Sequence, residues 1–245
     1  MRLDDATDVF CRSFAFTRSL THPFEFVGIG DLRVMRDAIP KRDPRTQEIV
    51  VCGIDPEEAL RQVKTYDPPR HFLCVMCCLE DLAGHALPVL KAAYKAGGYR
   101  MLGTEEFFVR DLSTPIEGQR NMVNRVTTRD EADRIAKAAR SKQIPADQLG
   151  GRQIRLYAAW SGGEPVGWVR SIHLQPEAAW ASNLYVEPSF RRKGIGRALM
   201  AKMLQEDALA GVKHSVLLAS RAGSLLYPLI GYEKIGVLLM FSMKR

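Results

Sequence analysis

The chain has 245 residues, 46% of them hydrophobic and 26% charged, which suits a globular protein with a real core and excludes collagen, coiled coil and wholesale disorder. This length allows one large domain or two small ones, and two is the working count. No apolar run approaches the ~18–20 residues that cross a bilayer, and the start Met1-Arg2-Leu3-Asp4-Asp5 places acids where a signal peptide needs a basic, then apolar, stretch. A soluble, cytoplasmic protein without a membrane partner is expected. The net charge of +7 is unevenly spread: residues 1–110 carry 15 basic and 16 acidic side chains, residues 111–245 carry 20 and 12. A basic second half suits a polyanionic partner: nucleic acid, an acidic surface or a phosphorylated cofactor.

In chain order, residues 1–46 give no clear pattern. A strand is expected over 48–54, then a helix opened by Asp55 as N-cap with Pro56 in the first turn. The apolar run 71–78 reads as a buried strand. It holds Cys74, Cys77 and Cys78; with Cys11 and Cys52 they make five cysteines, read as free buried thiols. Cys74 and Cys77 have CxxC spacing, but zinc needs about four ligands and no second pair exists, so no metal is expected. A helix over 86–96 stops at Gly97-Gly98, and a strand follows over 99–110. Residues 113–119, with Pro115 and Gly118, read as a linker.

The second half continues with a strand over 121–126 and a capping box, Thr128 with Glu131, that opens a helix to about 139. A short helix over 144–149, a hairpin of strands 152–160 and 165–174, and a strand over 179–186 follow. A helix then begins within Arg191-Arg-Lys-Gly-Ile-Gly-Arg, with Leu199, Met200, Met203 and Leu204 at helical spacing. A strand over 214–218, a short helix over 224–230 and a strand over 233–243 close the chain. At a constant offset of 133, Tyr94, Gly98, Tyr99, Gly103 and Phe108 face Tyr227, Gly231, Tyr232, Gly236 and Phe241. With the same strand–helix–strand order around both sets, this favours an internal duplication.

Arg191, Arg192, Lys193, Gly194, Ile195, Gly196 and Arg197 open a helix directly after a strand. Glycines let backbone N–H groups approach a ligand, the helix N-terminus adds partial positive charge, and the cations complete an anion cradle suited to a pyrophosphate. The segment is neither a Walker A loop nor the three-glycine dinucleotide fingerprint.

Asn183-Leu-Tyr-Val-Glu-Pro-Ser-Phe-Arg-Arg-Lys-Gly-Ile-Gly-Arg-Ala-Leu-Met resembles motif A of the GNAT acetyltransferase superfamily, Q/R-x-x-G-x-G/A. The segment from Ser220 to Tyr232 is similar to the family's following helix-to-strand segment. The resemblance spans roughly residues 120–245. It implies an α/β fold with a central mixed sheet flanked by helices in each half. Residues 120–245 would be a GNAT N-acetyltransferase domain, and residues 1–112 a degenerate or truncated GNAT-like domain without the CoA motif. It implies acetyl-CoA as co-substrate, with its pyrophosphate on Arg191 to Gly196. The pantetheine arm would pair like an extra strand with Leu184, Tyr185 and Val186, whose N–H groups would polarise the thioester carbonyl. Tyr227 would be the general acid that protonates the departing thiolate. Ser220 and Gly223 stand where members often have Asn and Ala. In the first half, Asp55, Glu57 and Glu58 would repel phosphate, so no CoA is expected there.

An amine must be neutral to attack a thioester, and the leaving sulfur benefits from a donor; the residues identify no base. Glu187 and His173 flank the cofactor strand as weaker candidates, and Trp160, Trp168 and Trp180 read as core before pocket walls. The leading expectation is direct acetyl transfer to a small-molecule or peptide amine in a ternary complex. A CoA-binding regulator without turnover is the alternative. A nucleic-acid partner is not expected, for want of any recognised binding module. A homodimer is compatible with the sequence.

Overall fold

A computed structural model describes residues 1–82, 86–114, 116, 122–220 and 223–244. The chain divides into two units, one of residues 1–108, 218–222 and 234–245, the other of 109–217 and 223–233.

The first unit opens with helix α1 (Leu3–Ser19), whose Asp4 and Asp5 complement the positive end of the helix dipole. It buries Ala6, Val9, Phe10 and Cys11. Strands β1 (Phe24–Ile29) and β2 (Leu32–Asp37) form a hairpin, turned at Gly30, which has φ 58°. These three elements fill the stretch that the sequence left unread. Strand β3 (Gln47–Cys52) pairs antiparallel with β2. It runs parallel to β4 (His71–Cys78) across helix α2 (Pro56–Tyr66). Helix α3 (Ala86–Ala96) and strand β5 (Tyr99–Asp111) follow. The chain's last strand, β11 (Glu233–Met243), lies antiparallel to β4, so the strand order here is β1-β2-β3-β4-β11-β5. The cysteine-rich run is indeed a core strand: Cys74 and Cys77 are buried and all five thiols are free, and burial pushes Cys77 up to about 12.

In the second unit, β6 (Val123–Arg125) leads to α4 (Arg129–Ala139), where Thr128 and Glu131 form the expected capping box. The helix expected over 144–149 is one 3₁₀ turn, Ala146–Gln148. Strands β7 (Ile154–Ser161), β8 (Glu164–Ile172) and β9 (Ala178–Val186) form an antiparallel meander. Helix α5 (Ile195–Leu209) returns the chain to β10 (His214–Ala219), parallel to β9, giving the order β10-β9-β8-β7-β6. The short helix expected over 224–230 is only the 3₁₀ turn Pro228–Ile230: Pro228 cannot donate and Gly231, at φ 78°, stops the turn. Part of the expected linker (115, 117–119) and the first residue of the strand expected over 121–126 lie outside the described residues.

The offset-133 residues take matching roles. Gly98 and Gly231 both have left-handed φ, 88° and 78°. The Tyr99 hydroxyl meets His71 Nε2 at 2.7 Å and the Tyr232 hydroxyl meets Ser215 Oγ at 2.7 Å. Each thereby ties the strand after a glycine stop to the start of the second strand of a parallel pair.

Candidate functional site

Strand β9 is paired on both sides only at its start. Its register with β10 covers Ala178, Ala179 and Trp180; from Ala181 onward, among the described residues, its partners lie on β8 alone. That second pairing contains a β-bulge. Arg170 faces Ser182 and Trp168 faces Tyr185, so Asn183 and Leu184 together oppose Val169. Asn183 sits at φ 55°, a conformation Asn tolerates better than other side-chain-bearing residues. Its amide donates to Gln143 Oε1, and Gln143 is itself held by Ser141 and almost wholly buried. The bulge is thus locked, and Leu184, Tyr185 and Val186 follow it half-buried.

Beyond β9 a 3₁₀ turn (Pro188–Phe190) delivers the chain to α5. Arg192, at φ 62°, and Gly194, at φ 80°, both take the left-handed conformation, which curls the segment into a concavity of backbone N–H groups. Gly194 is the N-cap of α5 and supplies no side-chain cap, so the first amides of the helix keep their donors available. Arg191, Arg192, Lys193 and Arg197 are exposed around them, and Ile195 is buried as the helix's anchor. Arg191 Nε donates to the Val186 carbonyl at 2.9 Å, joining the turn to the end of β9. Its guanidinium lies 6.0 Å from the Tyr185 ring, which stacks on Trp168 at 4.6 Å. A Cβ on Gly196 would stand 3.5 Å from Leu226 and 3.8 Å from Val186. Helix N-terminus, end of β9 and the residue before Tyr227 therefore converge.

Tyr227 is 7% exposed, edge-on to Tyr232 at 5.6 Å, and burial pushes its phenol up to about 12. It stays protonated at neutral pH, as a donor must. Ser220 is exposed, just past β10, and groups with the first unit; Arg221 and Ala222 beside it lie outside the described residues. His173 is engaged elsewhere: Nε2 meets Asp207 Oδ1 at 2.9 Å and Ser171 Oγ at 2.9 Å. Asp207 is fully buried and also accepts from Ser171 at 2.6 Å. It lies 12 residues along α5 from Ile195, or ~18 Å of helix, so His173 belongs to a core network. Glu187 is half-buried, and Trp168 and Trp180 are buried. Gln143 and Arg170 carry no motif; Asn183 opens the motif-like segment, and an Asn inside an otherwise β-forming run was the one available signal for the bulge.

The corresponding crossing in the first unit is built differently. β3 and β4 stay paired from Gln47↔His71 to Cys52↔Met76, with no open edge. The N-terminus of α2 is already capped, Asp55 accepting from the Glu57 amide at 2.8 Å. A cleft of about 830 Å³ lies beside it, lined by Asp55, Glu57 and Asp81 over apolar Val75, Val89 and Leu90.

Residues 152–234 match the acetyltransferase (GNAT) domain family. No curated protein sequence matches the chain. Among solved structures it is similar to a GCN5-related N-acetyltransferase from Kribbella flavida at 14% identity and TM-score 0.64, covering 95% of this chain and 94% of that one. A GNAT-family acetyltransferase structure from Novosphingobium aromaticivorans matches at 13% identity and TM-score 0.53, covering 97% of each chain. A tandem GNAT protein from the clavulanic acid biosynthesis pathway matches at 13% and 0.52, over 98% and 96%. Residues 152–234 thus match the GNAT domain family, and nearly the whole chain shares its fold with GNAT N-acetyltransferase structures.

Proposed function

We propose that the second unit binds acetyl-CoA and transfers its acetyl group to a primary amine by direct attack in a ternary complex. One observation carries this reading: the half-open β9 edge ends beside an uncapped, cation-ringed helix N-terminus. The backbone from Arg191 to Gly196, with Arg197, would hold the pyrophosphate. Leu184, Tyr185 and Val186 would pair with the pantetheine arm and stabilise the negative charge developing on the thioester oxygen. The amine nitrogen forms the new C–N bond as the C–S bond breaks; the nitrogen's proton leaves to water, and the Tyr227 hydroxyl protonates the departing thiolate. The first unit, with its closed strand pair and its capped, acidic helix start, reads as a worn copy that takes no CoA.

The test measures acetyl-CoA binding by calorimetry and thiol release with a panel of amines. Tight binding with acceptor-dependent thiol release is expected. Tight binding without release from any amine would favour the regulatory alternative, and no binding would overturn both.

A further inference from the structure

Gly167 identifies the β8 face turned toward α5, because a Cβ there would meet Leu199 at 3.1 Å and Ile195 at 3.4 Å. Ser171, on the same face, reaches Asp207 of α5. Strand alternation turns Trp168 and Arg170 to the opposite face, where Arg170 Nη1 donates to the Gln143 carbonyl at 3.4 Å. Ser182 stands directly across from Arg170 in the register, placing the two Cβ atoms ~5 Å apart on one face.

Three polar atoms on this face are shut off from solvent without a hydrogen-bond partner among the described residues: Arg170 Nε, Trp168 Nε1 and Ser182 Oγ. Two can only donate and the third can. No carboxylate among the described residues answers them. Burial alone holds the Arg170 guanidinium below its ordinary range, at about 10, so even there it is fully charged at neutral pH. A largely buried guanidinium facing an indole N–H, a hydroxyl and one neutral carbonyl, with no countercharge, is costly. The missing complement accepts without donating and bears negative charge, as a carboxylate does. Arg170 as a residue is half-buried. Ser182 adjoins the Asn183 bulge and Trp168 stacks on Tyr185, so the cluster borders the open stretch of β9.

We propose that this face holds a carboxylate subsite centred on Arg170 and flanked by Trp168 and Ser182, and that the acceptor amine carries a carboxylate. The claim about the acceptor rests on the acetyl-transfer reading; the subsite itself does not. The test compares amino acids with their decarboxylated amines, such as phenylalanine with phenethylamine and lysine with cadaverine, by acceptor-dependent thiol release. The amino-acid members should show kcat/KM about tenfold or more above their partners, mainly through KM. Arg170→Gln should close that gap by lowering the amino-acid values, and Trp168→Phe, which keeps an aromatic ring of smaller size but removes the N–H, should narrow it about threefold. Equal or better use of the decarboxylated amines by the unaltered chain overturns the proposal. Calorimetric titration of the CoA-mixed full chain with N-acetylated amino acids is read separately. Binding that Arg170→Gln abolishes supports the subsite even if no amine is acetylated, a result that would fault only the acetyl-transfer reading. No binding, or equal binding to both chains, overturns the subsite. Should Arg170→Gln melt well below the unaltered chain, Trp168→Phe and Ser182→Ala decide in its place.

Discussion

Asn183 is the residue on which β9 turns. Its left-handed backbone makes the bulge, and Gln143 holds it there. A β-branched residue cannot take this conformation cheaply: Asn183→Val should cost ~1–2 kcal/mol of stability and weaken acetyl-CoA binding, while Asn183→Gly should keep the bulge with only a modest loss. Thermal melts and calorimetry read both. Tyr227 is the proposed acid. Tyr227→Phe should lower kcat ~10²-fold with acetyl-CoA affinity little changed. Because burial raises the phenol to about 12, its protonated form persists as pH rises past the ordinary tyrosine value. The unaltered enzyme should therefore lose no rate to Tyr227 ionisation below about pH 11, as a kcat profile would show; loss of rate confined to pH 9–10 would assign the acid elsewhere. Tyr227 was visible in the sequence through its place after the motif and its match to Tyr94. Asn183 was quoted there without a role, since a bulge depends on what the neighbouring strand does.

At the scale of elements, the helix start divides its two glycines by physical job. Gly194, at φ 80°, has nothing within 4 Å of a Cβ, so its requirement is conformational. Gly194→Ala should cost ~1–2 kcal/mol and reduce acetyl-CoA affinity about tenfold. A Cβ on Gly196 makes only ordinary contacts at 3.5 and 3.8 Å, so Gly196→Ala should keep the fold, gain helix propensity and retain binding. Calorimetry and melts on the pair separate the roles. Most elements were readable because their cues are local: the Thr128 capping box, the Asp55-Pro56 start, the apolar run of β4. Residues 224–230 looked helical from Leu225, Leu226, Leu229 and Ile230, but Pro228 and Gly231 left a single 3₁₀ turn. Helix α1 and the β1–β2 hairpin escaped because their amphipathic pattern is blurred by polar residues, such as Thr7 and Ser13, that are buried in the fold.

At the scale of the molecule, five buried tyrosines, Tyr94, Tyr99, Tyr157, Tyr227 and Tyr232, all hold their protons above the ordinary value, mainly through burial. The folded state binds these protons more tightly than the unfolded chain does. Their stabilisation is complete below about pH 10, the unfolded value, and is lost as pH climbs through the folded values. Melting temperatures from pH 8 to 12 should show this as a fall beginning above about pH 10. Asp207, fully buried against His173, Ser171 and Arg155, is a second global determinant. Asp207→Ala strands a buried cation and should cost ~3–5 kcal/mol in denaturant unfolding.

By itself the sequence determined most of the element order of the second half, the cation-ringed glycine turn and the repeated Tyr-Gly-Tyr-Gly spacing, because caps, charges and glycine stops act over a few neighbouring residues; that the last strand groups with the first unit was not legible there. Only the tertiary structure decided where pairing ends. It set β9 free of β10 after Trp180, placed the bulge at Asn183, kept β3 and β4 closed over their length, and laid β11 beside β4. Strand partners are chosen by contacts between residues far apart in the chain, and no local pattern records which edge is left open. The open edge separates a strand whose backbone groups are left unpaired on one side from one that is paired over its length.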